Sequence, residues 1–134
     1  MGKLTLLLAT LAVALAAAAS AAAPTVTVRS SQYGRILFDG RGFALYAFTA
    51  DARGRSTCSG ACAKAWPPYI VKTKPSGRLL GTARRAGGAL QVTYAGRPLY
   101  YYVGDRKPGQ ILCQNVSEFG GLWLVVRPGG GLVR

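Results

Sequence analysis

The chain is expected to fold as one small, mostly β domain. Two pseudo-repeated β-hairpin and strand units should share one core, with at most one short helical turn near a Cys-x3-Cys segment. Three observations predict this. "ALYAFTAD" (Ala44–Asp51) returns almost letter for letter as "PLYYYVGD" (Pro98–Asp105), and short apolar runs alternate with Gly-containing turn signals. Helix-period patterning is poor outside "CSGACAKAW" (Cys58–Trp66).

The first residues read as a secretory leader. Lys3 precedes an apolar run from Leu4 to Ala23 that ends in small residues, which gives the charged, apolar and cleavage zones of a signal peptide over residues 1–22. Some twenty apolar residues also suffice for a membrane span, but the second half of this run is nearly all weakly apolar Ala. A cleaved leader is therefore expected over an anchor. The cut falls after Ala21 or Ala22, because Pro24 blocks cleavage directly before it. No transmembrane span is expected after cleavage, and the remaining 23–134 suits one domain.

Along that domain, "TVTVRSS" (Thr25–Ser31) alternates as a strand. "RILFDGRGFALYAF" places two apolar runs around a turn at Asp39–Gly42, and "QVTYAGRPLYYY" repeats the plan with its turn at Ala95–Gly96. Pro98 demands an edge or a strand start. Leu122–Val126 reads as a buried strand, with "PGGG" as a turn before a frayed end. Cys58–Trp66 holds a turn or two of helix, which Pro67-Pro68 stops. Lys72–Gly88 reads as a long basic surface connection with one short strand at Leu79–Leu80.

The repeated letters align as Gly-x-x-Leu-Tyr-x-aromatic-x-x-Asp: Gly42, Leu45, Tyr46, Phe48 and Asp51, then Gly96, Leu99, Tyr100, Tyr102 and Asp105. A Cys and then a Trp follow each Asp (Cys58 and Trp66, Cys113 and Trp123). Repeat 1 is placed at about 29–82 and repeat 2 at about 83–134. Units this short bury too little surface to stand alone, so a pseudo-twofold pairing around a common core is expected. Positions two apart on a strand face the same way. Tyr46 and Phe48 should therefore share one face and Leu45 take the other, with the same division for Tyr100, Tyr102 and Leu99. Both faces are bulky, which predicts central strands covered on both sides. Each Asp sits at a strand end, where a carboxylate can accept backbone N–H bonds and close an Asx-type turn. Of the aromatic side chains, Tyr101 faces away from its neighbours and is the one expected to escape a purely core role.

These stretches, with "STCSGACAKAWPP" and "GRPLYYYVGDRKPGQ…FGGLWLVV", resemble the bacterial secreted repeat of unknown function. Its members are described as predicted lipoproteins carrying a Tyr-x-[Phe/Trp/Tyr]-x-x-Asp motif. The resemblance spans nearly all of the chain after the leader, in two copies, with Tyr46, Phe48 and Asp51 as the first motif and Tyr100, Tyr102 and Asp105 as the second. No Cys follows the leader closely, so a freely secreted form is expected here instead of a lipid-anchored one. The resemblance implies architecture and compartment, and carries no established activity.

Three Cys permit three single pairings in an exported chain. A Cys58–Cys62 bond closes a small loop for about 2 kcal/mol, and a Cys62–Cys113 bond would give about 4. The resemblance to "CSGAC" favours Cys58–Cys62, which leaves Cys113 as a buried apolar thiol or an intermolecular link, burial being the expected state. A thiol-redox or disulfide-linked envelope protein using Cys58, Cys62 and Cys113 is the alternative function.

The chain has no His, and its single Met is the initiator. Ser-His-Asp and Cys-His catalysis, His-built metal sites and the usual haem ligands are thereby removed. Only Asp39, Asp51, Asp105 and Glu118 could act as acids. No catalytic residue, metal site or cofactor is expected. The formal net charge of +13 points to anionic cell-envelope polymers or lipid head groups as partners, with no specific nucleic acid. Arg53, Arg55, Lys72, Lys74, Arg84 and Arg85 are the anion-binding candidates, in a stretch without one acidic residue between Asp51 and Asp105. The expected protein is a secreted, non-enzymatic β module of the extracellular space or cell envelope.

Overall fold

The computed structural model describes Gly2, Ala14 and residues 25–134. Those two isolated positions aside, the expected leader and its cleavage zone lie outside the described residues.

The domain opens with a hairpin of β1 (Val26–Ser31) and β2 (Gly34–Asp39), paired from Val26↔Asp39 to Ser31↔Gly34. The composition of its turn gave little warning. Ser31 closes it, its Oγ accepting from the Tyr33 amide (3.0 Å) and donating to Gly34 O (2.8 Å). The expected turn at Asp39–Gly42 is present, with Asp39 N donating to Phe43 O (2.9 Å), and leads into β3 (Tyr46–Phe48). β3 takes its main ladder from a distant strand, β9 (Gly121–Val125), which also pairs with β8 (Val116–Glu118). Such long-range pairing is invisible to local pattern.

Helix α1 (Ala61–Ala65) begins after Gly60, at φ 57°, and ends before Pro67-Pro68 as expected. A third, four-stranded sheet gathers β4 (Ile70–Val71), β5 (Leu80–Arg84) and β7 (Arg97–Pro98) around β6 (Leu90–Tyr94). The turn at Ala95–Gly96 has both residues at positive φ (50° and 80°), and Pro98 sits on the two-residue edge its missing N–H requires. Two expectations need correcting. The 72–88 segment holds a full five-residue strand, β5, whose weak apolar alternation hid it because only Ala83 is buried. The C-terminus is not frayed. Val126 pairs with Leu132, and Val133 is buried, its amide donating to Val125 O (3.0 Å).

Tyr100 links the three-stranded sheet to the segment that enters the four-stranded one. It forms a bridge with Tyr46 on one side and with Pro68 on the other. As expected, both strand faces are covered, so the common core has two layers. Ile36, Phe38, Tyr46, Phe48, Tyr100, Trp66 and Trp123 fill one layer, and Leu37, Leu45, Val92, Leu99 and Val126 fill the other. Each layer draws on both repeats, which is why neither repeat has a complete core of its own.

Candidate functional site

The two motif copies meet at their tyrosines. Tyr46 N donates to Tyr100 O and Tyr100 N to Tyr46 O, both at 2.9 Å. From this reciprocal pair the side chains cross. Tyr46 Oη donates to Asp105 Oδ2 and Tyr100 Oη to Asp51 Oδ2, both at 2.7 Å. The second oxygen of each carboxylate holds the loop that follows it. Asp51 Oδ1 accepts from Thr57 N (2.7 Å) and Thr57 Oγ1 (3.0 Å), and Asp105 Oδ1 accepts from Leu112 N (2.9 Å). The carboxylates do accept backbone N–H bonds, but from amides six and seven residues onward, so neither closes the expected Asx-type turn and each holds a longer loop instead. The bond from the other copy's Tyr could not be read from either copy alone. Burial, reinforced by Asp105, pushes the Tyr46 hydroxyl far above its ordinary pKa of 10.0, and burial likewise raises Tyr100. Both hydroxyls are therefore permanent proton donors.

The aromatic residues cross as well. Phe48, Trp123, Trp66 and Tyr102 form one column. Phe48 stacks on Trp123 (4.1 Å, 6°), Trp123 on Trp66 (4.1 Å, 4°), and Tyr102 leans on Trp66 (4.9 Å, 37°). The column is palindromic: each copy's second motif aromatic covers the other copy's Trp. Tyr46 meets Trp66 edge-on (5.2 Å, 74°), and Tyr100 meets Trp123 in the same way (5.0 Å, 87°). Both indoles end on Glu118, Trp66 Nε1 donating to its Oε2 (2.9 Å) and Trp123 Nε1 to its backbone O (3.1 Å).

Cys58 and Cys62 form a disulfide with 5.3 Å between Cα atoms, and both are buried (1% and 6% exposed). Thiol–disulfide exchange requires access, so a dithiol-exchange role has no open bond to act through. Cys113 is free, and it is half-buried where full burial was expected. It packs against the rim of the aromatic layer instead of inside it, and burial raises its pKa.

Of the six anion-binding candidates, Arg53, Arg55, Lys72, Lys74 and Arg84 are exposed. Arg53 lies flat across Gly96, where a Cβ would fall 2.8 Å from its Cγ. That contact explains the motif glycine along with its positive φ. Arg85 behaves differently. Its guanidinium donates to Gln91 Oε1 (2.7 Å), Ser56 Oγ (2.9 Å) and Cys58 O (2.7 Å), tying the disulfide loop to β6.

One cluster was not singled out from the residue types. Asp39, treated as a turn residue, is 3% exposed. Its Oδ1 accepts from Arg41 N and Phe43 N, and its Oδ2 from Arg41 Nε (3.0 Å) and Tyr101 Oη (2.8 Å). Arg41 completes an ion pair through Nη2 (3.0 Å). Tyr101, the expected exception, is thus half-buried and aimed at Asp39. The signal available in the sequence was the extra residue in this turn relative to Ala95–Gly96. Burial raises the pKa of Asp39, but the bonds from Phe43, Tyr101 and Arg41 together leave it below the ordinary 3.8. An acid depressed in the folded state contributes stability above its unfolded value and loses it as pH falls through the folded value. Thermal melts between neutral pH and pH ~2 should therefore show a loss of stability below about pH 4. Asp39→Asn should be less stable at neutral pH and should lack that part of the acid decline. Parallel declines in both proteins would refute the role given to Asp39.

The cross-bonded motifs and the palindromic column define an internally duplicated β module, held together by what each half supplies to the other. The chain belongs to the family described as a secreted repeat of unknown function, whose model matches residues 27–69 and 81–127. No curated protein and no solved structure matches it. Among the described residues, no helix is long and apolar enough to cross a membrane.

Proposed function

We propose that the protein is a non-enzymatic binding module of the cell envelope or extracellular space, which holds anionic polymers on its basic surface. One observation carries this reading. Of the sixteen Lys and Arg side chains among the described residues, only Arg41 meets a carboxylate. The few acids are engaged internally: Asp51 and Asp105 by the crossed tyrosines, Asp39 by Arg41 and Tyr101, and Glu118 by Trp66. The positive charge is left without internal compensation. Such an excess opposes compaction and favours association with a polyanion. Because the motif carboxylates have both oxygens occupied, neither is poised to take a proton from a substrate.

The test is retention on immobilised polyphosphate, on an acidic glycan and on anionic lipid vesicles. Retention at low salt is expected, with release between ~0.1 and ~1 M salt, where the screening length falls from ~10 to ~3 Å. Replacing Arg53, Arg55, Lys72, Lys74 and Arg84 together by Gln should shift release to lower salt. Passage through all three matrices at low salt would overturn the reading.

A further inference from the structure

The two halves match where they hold each other together, and one of their differences lies beside a turn. Backbone pairing gives the correspondence between the halves. Leu45 N donates to Leu37 O as Leu99 N does to Val92 O, and Leu37 N donates to Val126 O as Val92 N does to Tyr69 O. The bridge Phe38↔Ala44 matches Thr93↔Pro98. Asp39 therefore corresponds to Tyr94, Tyr69 to Val126, Pro68 to Val125 and Tyr101 to Ala47. Between the paired strands the first half has three residues, Gly40-Arg41-Gly42, and the second has two, Ala95-Gly96.

In the second half the side of the turn that corresponds to Tyr69 and Tyr101 is filled, and only its other side borders a smaller hollow, of about 200 Å³, lined by Ala95, Gly96, Arg97 and Pro98. The chain doubles back after Val126, Tyr94 Oη donates to Pro128 O (2.6 Å), Arg97 Nε donates to Gly130 O (3.0 Å), and Gly130 lies against Ala95. In the first half the chain continues from Ile70 into Lys72 and Lys74 without returning. The equivalent space is left as an open cleft of about 740 Å³, walled by Pro67, Pro68, Tyr69, Ile70 and Tyr101 with Arg41 on its rim. That volume lies within the range of small-ligand sites, about 300–1,000 Å³. Folding alone does not demand this difference, because the other half closes the same position with its own chain.

We propose that this cleft is a binding site for an acidic saccharide, a sugar unit bearing a carboxylate. The inference rests on the polymer-binding reading above and names the unit that is recognised. The walls present aromatic, proline and isoleucine surface suited to the C–H faces of a pyranose ring, and Ile70 is left 46% exposed among them. The buried Asp39 grips the Arg41 guanidinium through Nε and Nη2, and the guanidinium lies over Phe43 (4.8 Å) and Tyr101 (5.6 Å). One edge of its donor fork is thus fixed, while the side chain remains 69% exposed. A guanidinium held in this way can present its remaining N–H groups to a ligand carboxylate with little ordering left to do. Lys72 and Lys74 follow the Ile70–Val71 wall, and Thr25 is shared by this cleft and the hollow lined by Lys74. A chain of acidic sugars leaving the cleft would therefore meet further positive charge. A bare phosphate polymer would gain nothing from the apolar walls.

The experiment measures binding of trigalacturonate, its fully methyl-esterified form and triphosphate to the wild type, Arg41→Gln and Ile70→Glu by calorimetry, with melts to confirm folding. The wild type should bind trigalacturonate at least ~10-fold more tightly than the ester or triphosphate, and both variants should lose at least ~10-fold in trigalacturonate affinity, the range expected on unpairing a hydrogen-bonded charge. If Arg41→Gln does not fold, Ile70→Glu decides, since it adds a like charge at an exposed wall position. Trigalacturonate binding that is absent, no tighter than triphosphate binding, or unchanged in a folded variant overturns the cleft assignment. Persistent retention of the wild type on long polyanions in that case leaves the surface reading standing. Failure of both fails both.

Discussion

Trp123→Ala is expected to lower the melting temperature by ~15 °C or more, or to prevent folding. Trp123 is fully buried, stacks between Phe48 and Trp66, and receives the edge of Tyr100. Truncating a buried Trp typically costs about 3–5 kcal/mol, and each aromatic pair adds about 0.5–1.5 kcal/mol beyond burial. A domain of this size has only about 5–15 kcal/mol in total, and each kcal/mol moves the midpoint by roughly 4–8 °C. Phe48→Ala and the double variant measure the coupling. Because the two rings come from opposite repeats, their combined loss should fall short of the sum of the single losses. A melt within a few degrees of wild type would mean that the column is not the joint between the halves.

Tyr46→Ala should be nearly as severe, and Tyr46→Phe shows why. The ring fills the aromatic layer, so Ala removes about 3–5 kcal/mol of packing. Phe keeps the ring but leaves the buried Asp105 carboxylate with only Leu112 N as partner, a loss of about 1–3 kcal/mol. Tyr100→Phe should cost less, since Asp51 is half exposed and retains both Thr57 bonds. Asp51→Asn and Asp105→Asn should be milder than Tyr46→Ala, because Asn still accepts the loop amide. The measurement is denaturant unfolding of all five proteins. A Tyr46→Phe as stable as wild type would show that the crossed bond contributes nothing net.

The division of faces was legible because strand alternation has a strict period of two. Tyr46 and Phe48 went to one layer and Leu45 to the other, and their second-copy counterparts followed. The turns at Asp39–Gly42 and Ala95–Gly96 were legible because glycine at positive φ marks them. Strand β5 was legible only as a short strand at Leu79–Leu80 and β8 not at all, since half-exposed edges with few buried residues leave little pattern to find. The docked C-terminus was hidden by the Gly-rich stretch before it, which looks the same whether or not a later Val finds a core.

The candidate site divides in the same way. Residue types and local spacing were enough to establish that the chain is duplicated, that it is mostly β, and that its charge lacks enough acids to balance it. The first motif does lie on a strand, β3, whereas the second leaves its strand at Pro98 and keeps only the bridges of Tyr100. The packing of distant segments sets the rest: each motif Tyr bonds the other copy's Asp, each Trp is covered by the other copy's aromatic, Arg85 faces inward, and one half leaves open a cleft which the other closes with its own chain. Those facts depend on which distant segments share space, and the same local letters serve either half. The cleft exists because one chain end turns back and the equivalent segment does not.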